Sequence, residues 1–430
     1  MASSHLLSSR RYLPLLLTQF LGALNDNFFK TAVVMLVTYR LSSTAGIAPH
    51  RLVILAGALY MLPYILFCAI GGKLADKFDK AVIARIIKLA EVVFMLVAAL
   101  GFYFHLSALL FLVLFCMGAH SALFSPAKYA LMPEHLKEGE LMEGNAFLEA
   151  GTFIATLLGT IAGGPMVLRA HGEIIVSLCV LLIAGLGVFS SRFIPTSGVR
   201  DHSVRLGFNP FVETREILGY MLLQPALLKT SLTNSWFYFV AIIFAMLLAP
   251  YARAIGVDED VGTLLLTAFT LGIGAGAITC GTLLGGGVST RSVPWCALGM
   301  SIFIFDFCAT SPATLPHIND SLITLHTFLA TVPGWRRMLF DLFMVAFCGG
   351  FFIVPLYAAL QRQSSPEHRA QVMACNNVIN AFFMVASAFM ALGIFILGSG
   401  IENVFLVTGI LNTLVALYLL MSASRAYLRD

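Results

Sequence analysis

Twelve times along this chain the sequence stays apolar for long enough to cross a lipid bilayer, and this repetition limits the fold more than any other feature. The apolar segments fall at about 13–39, 52–72, 82–104, 106–126, 141–168, 173–194, 226–250, 261–285, 293–311, 338–361, 370–398 and 402–423. A spanning helix needs roughly 20 such residues. Only helices or closed barrels satisfy the backbone in hydrocarbon. Barrel strands would alternate over about ten residues, whereas these runs are continuous, so they predict helices. The composition agrees: 59% of residues are hydrophobic and 11% charged, against about 25% charged in a typical soluble chain. So few charges cannot cover a water-facing surface, which excludes an ordinary soluble enzyme, a disordered chain and a disulfide scaffold. The expected class is an all-α membrane protein of twelve transmembrane helices.

The distribution of Lys and Arg sets an orientation. With both termini placed in the cytoplasm, only Arg40, Arg51, Arg169, Arg253, Arg336 and Arg337 fall in outside segments, and most of the other basic residues fall inside. Arg10 and Arg11 precede an apolar run that resembles a signal peptide, but the run continues to about Tyr39 without a small-x-small cleavage site. It reads as a retained first span. The eight cysteines include no C-x-x-C pair and read as packing residues. The histidines show no metal-ligand spacing, no phosphate-binding glycine loop is present, and no Ser-His-Asp set emerges, so neither a cofactor nor an enzymatic activity is expected. There is no basic run with interleaved aromatics, so no nucleic acid partner is expected.

The longest inside loop, 195–222, divides the chain into six-helix halves at 1–194 and 223–430. Residues 312–335 form an outside insertion, whose apolar stretch Leu322–Val332 is too short to span and is expected to lie on the membrane surface.

Ionisable residues within spans are costly and are functional candidates. Span one carries Asn25, Asp26, Asn27 and Lys30; Asp26 and Lys30 share a helix face and either pair or face a cavity. Lys88 and Glu91 read as a self-neutralised structural pair. In span five, Glu143 and Asn145 are followed by Glu149, Thr152 and Thr156, which fall on one stripe expected to line a cavity. Gly159, Gly163 and Gly164 then permit close packing. Asn376 and Asn380 share a face of span eleven. Asp306 and Asp341 are isolated acids in spans nine and ten. Lys128 either snorkels at an inside helix end or faces the cavity.

Two further patterns carry a resemblance. Pro126, Tyr129-Ala130, Glu134-His135 and Asn145 recur in order as Pro355, Tyr357-Ala358, Glu367-His368 and Asn376; repetition between six-span halves suggests a major facilitator type of transporter. After span two, Gly71-Gly72-Lys73-Leu74-Ala75-Asp76-Lys77-Phe78-Asp79-Lys80 resembles the signature loop of that superfamily, departing from it at Asp79. The resemblance implies that Gly72, Asp76, Lys77 and Lys80 belong to a conformational latch between the halves. The matching second-half loop, Gly281 to Arg291, has no aspartate, so a weaker latch is expected there.

Thr18-Gln19-Phe20-Leu21-Gly22-Ala23-Leu24-Asn25-Asp26-Asn27, Ser125-Pro126-Ala127-Lys128-Tyr129, Glu149 to Gly164 and Gly350 to Gln361 resemble the bacterial lysophospholipid transporters. That resemblance covers most of the chain apart from 312–335 and the inter-half loop. It implies facilitated inward flipping of lysophospholipids, chiefly lysophosphatidylethanolamine, across the inner membrane by a monomer, for re-acylation by a cytoplasmic acyltransferase/acyl-carrier synthetase. The chain ends at Asp430 without such a domain. The candidate substrate-binding residues are Asp26, Asn27, Lys30, Lys128, Tyr129, Asn145, Glu149, Asn376 and Asn380. Lys30 or Lys128 suits the phosphate, and Asp26 or Glu149 the amine. The alternatives are a proton-coupled exporter of drugs or siderophores on the same fold, and a non-transporting scaffold for an acyltransferase.

Overall fold

The computed structural model describes residues 3–36, 49–196, 198, 204, 206–207, 209–285, 287–310 and 322–427. Its long helices are α1 (Leu13–Leu36), α2 (Pro49–Lys77), α3 (Lys80–Tyr103), α4 (Ser107–His135), α5 (Leu141–Leu168), α6 (Gly172–Ser191), α7 (Pro225–Ala254), α8 (Glu259–Leu283), α9 (Val293–Thr310), α10 (Trp335–Gln363), α11 (Arg369–Ile396) and α12 (Ile401–Tyr427). Ten helices among the described residues are long and apolar enough to cross a membrane. The long helices outside that set, α1 and α3, carry Asp26, Lys30, Lys88 and Glu91.

Three boundaries differ from the sequence reading, each for a local reason. Helix α2 continues through Lys77, so Gly72 to Lys77 form its last turn and not a loop. Only Phe78 and Asp79 turn the chain, and Asp79 caps α3 by accepting from the Ala81 and Val82 N–H groups at 2.9 and 3.4 Å, satisfying donors that a helix start leaves open. Helix α4 runs past Pro126 and Pro133 to His135, so Lys128 lies inside it, 8% exposed, and does not snorkel. The inter-half segment contains a helix, Pro210–Leu222, started by the Asn209 cap and Pro210 at its first turn.

The described part of the insertion is docked on the protein. Ile323 bridges to Val257. Asp258, the N-cap of α8, also accepts from the Leu325 N–H at 3.2 Å. Phe328, in the short helix Leu325–Thr331, is fully buried. Residues 311–321, Arg40, Arg200, Arg205 and Asp430 lie outside the described residues.

Glycines set the tightest helix approaches. A Cβ on Gly163 of α5 would fall 2.3 Å from the Phe28 carbonyl of α1, and one on Gly276 of α8 would fall 1.9 Å from the Phe347 carbonyl of α10. A side chain at either point would force the backbones apart. Gly276→Val is therefore expected to destabilise the second half by about 1–3 kcal/mol, seen as a lowered Tm in detergent; an unchanged Tm would contradict this packing.

The hydrogen bonds seen between the halves, among the described residues, lie toward the ends of the helices that carry the two chain termini, the termini side. Asn145 and Gln361 exchange amide hydrogen bonds at 2.7 and 3.1 Å. Gln361 also donates to the Tyr129 carbonyl at 3.2 Å, and Asn377 donates to Ser125 at 2.9 Å. The rings of Tyr129 and Tyr357 stack at 4.4 Å. A Cβ on Gly72 would meet the Ala374 Cβ at 2.7 Å, whereas one on Gly57 or Gly393, toward the opposite side on the same two helices, would meet nothing within 4 Å. The helices α2 and α11 thus touch on the termini side, whereas Gly57 and Gly393 face open space.

Candidate functional site

Between the halves lies a cavity of about 310 Å³. Its floor, on the termini side, is formed by Ser125, Tyr129, Tyr357 and Asn377, the residues that join the halves. Because that joint is closed, the cavity is shut from the termini side.

Helix α1 supplies one wall because its polar residues recur at helical spacing. Gln19 donates to Thr152 at 3.0 Å and Asn27 donates to Thr156 at 3.2 Å, so the stripe on α5 is held to α1 by amide–hydroxyl pairs. Asp26 does not pair with Lys30. Its Oδ2 accepts from the Ser121 hydroxyl at 2.5 Å and from Tyr60 at 3.1 Å, while its Oδ1 is buried without a hydrogen-bond partner. Lys30 donates to Asn27 Oδ1 at 3.0 Å, with its Nζ 5.2 Å from the Tyr60 ring centre. Lys128 Nζ lies 4.8 Å from the ring centre of Tyr129, and that tyrosine donates its hydroxyl proton to Glu149 at 2.6 Å. Neither Lys30 nor Lys128 has a carboxylate within ion-pairing distance among the described residues, and each rests instead on an aromatic face.

Lys88 and Glu91 form a buried ion pair at 2.7 Å. Asn25 donates to Glu91 at 2.6 Å and His120 Nε2 lies 3.2 Å from it, so this pair is enclosed on several sides. A buried carboxylate needs such partners.

Asp26, Asn27, Lys30, Lys128, Tyr129, Glu149 and Asn380 therefore line one cavity, and Asn145 and Asn376 do not. Asn145 belongs to the amide joint below the floor. Asn376 faces α7, where it accepts from Ser231 at 2.9 Å and Asn234 at 3.2 Å. The sequence reading missed Tyr60, Tyr64, Tyr238 and Tyr357, which also line the cavity; Tyr238 and Tyr357 share a hydroxyl hydrogen bond at 2.7 Å. Isolated tyrosines in apolar helices were the available signal. Every ionisable Asp, Glu, Lys or His lining the cavity comes from the first half, and the second half contributes tyrosines, asparagines, Ala381 and Met384.

The residues of the signature motif lie below this cavity. Asp76, 1% exposed, accepts from the Ala370 and Gln371 N–H groups at 2.9 and 3.0 Å and from the Gln371 side chain at 3.1 Å. It thus caps α11 across the boundary between halves, where a helix N-terminus favours negative charge. Lys80, fully buried, pairs with Glu134 at 2.7 Å. Lys77 sits half-buried at the end of α2. At the matching place in the second half no carboxylate cap is seen among the described residues; a Cβ on Gly281 would lie 2.5 Å from that of Ala146, so bare packing closes that seam. Asp306 and Asp341 are not isolated: Arg337 donates two hydrogen bonds to Asp306, and Thr310 lies 3.4 Å from Asp341.

Comparison with known proteins places this geometry. The lysophospholipid transporter LplT of Enterobacter sp. (strain 638) is 27% identical over 353 residues, covering 80% of this chain and 78% of that protein. LplT of Yersinia pestis (strain Pestoides F) is 26% identical over 366 residues, covering 83% and 80%. Among solved structures, the human organic anion transporter MFSD10 (TETRAN) superposes with a TM-score of 0.72 at 12% identity, over 94% of this chain and 99% of that one. The proton:xylose symporter XylE gives 0.69 at 14% identity, over 96% and 95%. The family description Major Facilitator Superfamily matches residues 15–332. With the twelve helices and the central cavity between the halves, this means that the chain is a multi-pass membrane transporter and belongs to the Major Facilitator Superfamily.

Proposed function

We propose that this transporter moves lysophospholipids, chiefly lysophosphatidylethanolamine, from the outer to the inner leaflet of a bacterial inner membrane by alternating access, for re-acylation on the cytoplasmic side. It acts as a facilitative flippase and not as an enzyme, with both termini in the cytoplasm. The observation that carries the reading is the combination within one cavity of two ammonium groups with no carboxylate in ion-pairing distance among the described residues, half-buried Lys30 and buried Lys128, and a buried carboxylate oxygen without a donor, Asp26 Oδ1. A headgroup with a phosphate and an amine is the complement of that set. Lys30 and Lys128 take the phosphate, Asp26 takes the amine, and Glu149 holds Tyr129 in place. The names of the LplT relatives support this substrate.

The cavity volume lies at the low end of the range for drug-sized ligands, about 300–1,000 Å³, which suits a headgroup and glycerol. The acyl chain passes between α2 and α11, where Met61 and Met384 line the cavity and Phe382 is half-exposed; methionine walls adapt to a flexible chain. Alternating access then consists of the halves rocking about this cavity, with Asp76 latching the state closed on the termini side.

Photo-crosslinking tests the placement. A lysophosphatidylethanolamine carrying a diazirine on its headgroup is expected to label α1 and α4 peptides of the first half, and one carrying it on the chain to label α2 and α11. Headgroup label confined to the second half would overturn the assignment. The rival reading, proton-coupled export, draws on His120, whose Nδ1 is buried without a partner beside Glu91. It predicts uphill movement driven by an imposed pH gradient, whereas facilitated flipping predicts none.

A further inference from the structure

The helix Pro210–Leu222 between the halves is apolar on two opposite faces. The inner face buries Glu213, Ile217 and Met221. The outer face exposes Phe211 at 73%, Leu222 at 65% and, just beyond the helix, Leu223 at 84%. Exposed Arg215 sits between Phe211 and Leu222 on that face. Pro225 begins the spanning helix α7 three residues after the helix ends, so this short connection holds the linker helix close to where α7 enters the membrane. A helix with an apolar outer face and an arginine that reaches the headgroups is built for the lipid interface.

The inner face spans the seam between the halves. Lys73 of α2 is pinned by Glu213 and Glu216, each at 2.5 Å, and Glu213 is 3% exposed, so it depends on that ammonium. One turn further along α2, Asp76 caps α11. At the other end of the linker helix, Tyr220 lies against His368, the N-cap residue of α11, with ring centres 5.2 Å apart.

We propose that Pro210–Leu222 is an interfacial helix embedded in the termini-side leaflet, where it straps α2 to α11 and makes opening of that seam depend on the lipid surface. Glu213 and Glu216 keep the helix with α2. When the seam opens, Tyr220 parts from His368 and the embedded helix shifts along the leaflet. The occupant of the outer face is the bilayer itself, because the short connection to α7 holds these exposed apolar side chains and Arg215 at the membrane surface.

The test uses the full-length protein in vesicles. Phe211→Trp is made, with Leu223→Trp as a second variant should the first fold poorly, and fluorescence is compared in plain phosphatidylcholine and in phosphatidylcholine brominated near the headgroup end of its chains. The fluorescence added by the new indole is expected to fall by at least half in brominated vesicles. The Glu213→Gln/Glu216→Gln double variant is expected to raise severalfold the labelling of Cys68 and Cys375, buried in the α2/α11 seam, by a maleimide applied from the termini side. Absence of quenching, as expected if a protein partner and not lipid covers this face, would overturn the proposal. Quenching without increased labelling would overturn the strap.

Discussion

Asp26→Asn is expected to cut lysophospholipid uptake into proteoliposomes by at least tenfold while the protein stays folded. The substitution preserves volume and leaves an acceptor for Ser121 and Tyr60, which donate to Oδ2 at 2.5 and 3.1 Å. What it removes is the negative charge at Oδ1, the carboxylate oxygen that no protein donor reaches. A hydrogen bond to a charged group contributes about 1.5–3 kcal/mol, and about 1.4 kcal/mol is a factor of ten, so the loss lies between roughly tenfold and a hundredfold. Lys128→Ala acts on the other pole: its ammonium rests on the Tyr129 ring without a carboxylate, so its removal should weaken substrate binding more than folding. Breaking the Lys88–Glu91 pair should instead impair folding, since it strands a buried charge. Full uptake by both Asp26→Asn and Lys128→Ala would remove these residues from the headgroup site.

Gly72→Leu is expected to prevent the termini side from closing. A Cβ there already comes within 2.7 Å of the Ala374 Cβ, 2.9 Å of the Ala370 carbonyl and 3.0 Å of the Gln371 Cα, so a leucine cannot be accommodated without separating α2 from α11. Asp76→Ala acts at the same joint without bulk, removing the cap from α11. Losing an N-cap costs about 0.5–2 kcal/mol, which shifts the balance between the two access states by roughly two- to thirtyfold. Both variants should expose Cys68 and Cys375 to a maleimide from the termini side, Gly72→Leu more completely, and both should slow transport because one half of the cycle becomes unfavourable. Labelling that stays at the wild-type level in Gly72→Leu would show that this contact does not gate the cavity.

The legible and illegible parts of this molecule separate on physical grounds. The spans were readable because bilayer thickness fixes the length of an apolar run. The stripe Glu149, Thr152 and Thr156 was readable because helix periodicity fixes which residues share a face, and all three line the cavity. Periodicity does not say what a face meets. Asn145 shares helix α5 with Glu149 yet meets Gln361 of the other half, and Asn376 and Asn380 both accept from α7 side chains while only Asn380 also lines the cavity. The pairing of Lys73 with Glu213 and Glu216 joins segments far apart in the chain, and no local pattern announces it. The stacked Tyr129 and Tyr357 are an intermediate case: they occupy matching places in the internal repeat, so a two-fold relation between halves brings them together at the cavity floor.

The central claim is that this cavity carries a lysophospholipid between leaflets. Its most direct test places the purified protein in sealed vesicles whose outer leaflet holds a fluorescent lysophosphatidylethanolamine, and follows how much can still be extracted by albumin. The account predicts a protein-dependent loss of extractable lipid, without any ion gradient, that Asp26→Asn slows at least tenfold. Lipid that stays fully extractable with the folded wild-type protein present, under every gradient imposed, would contradict it.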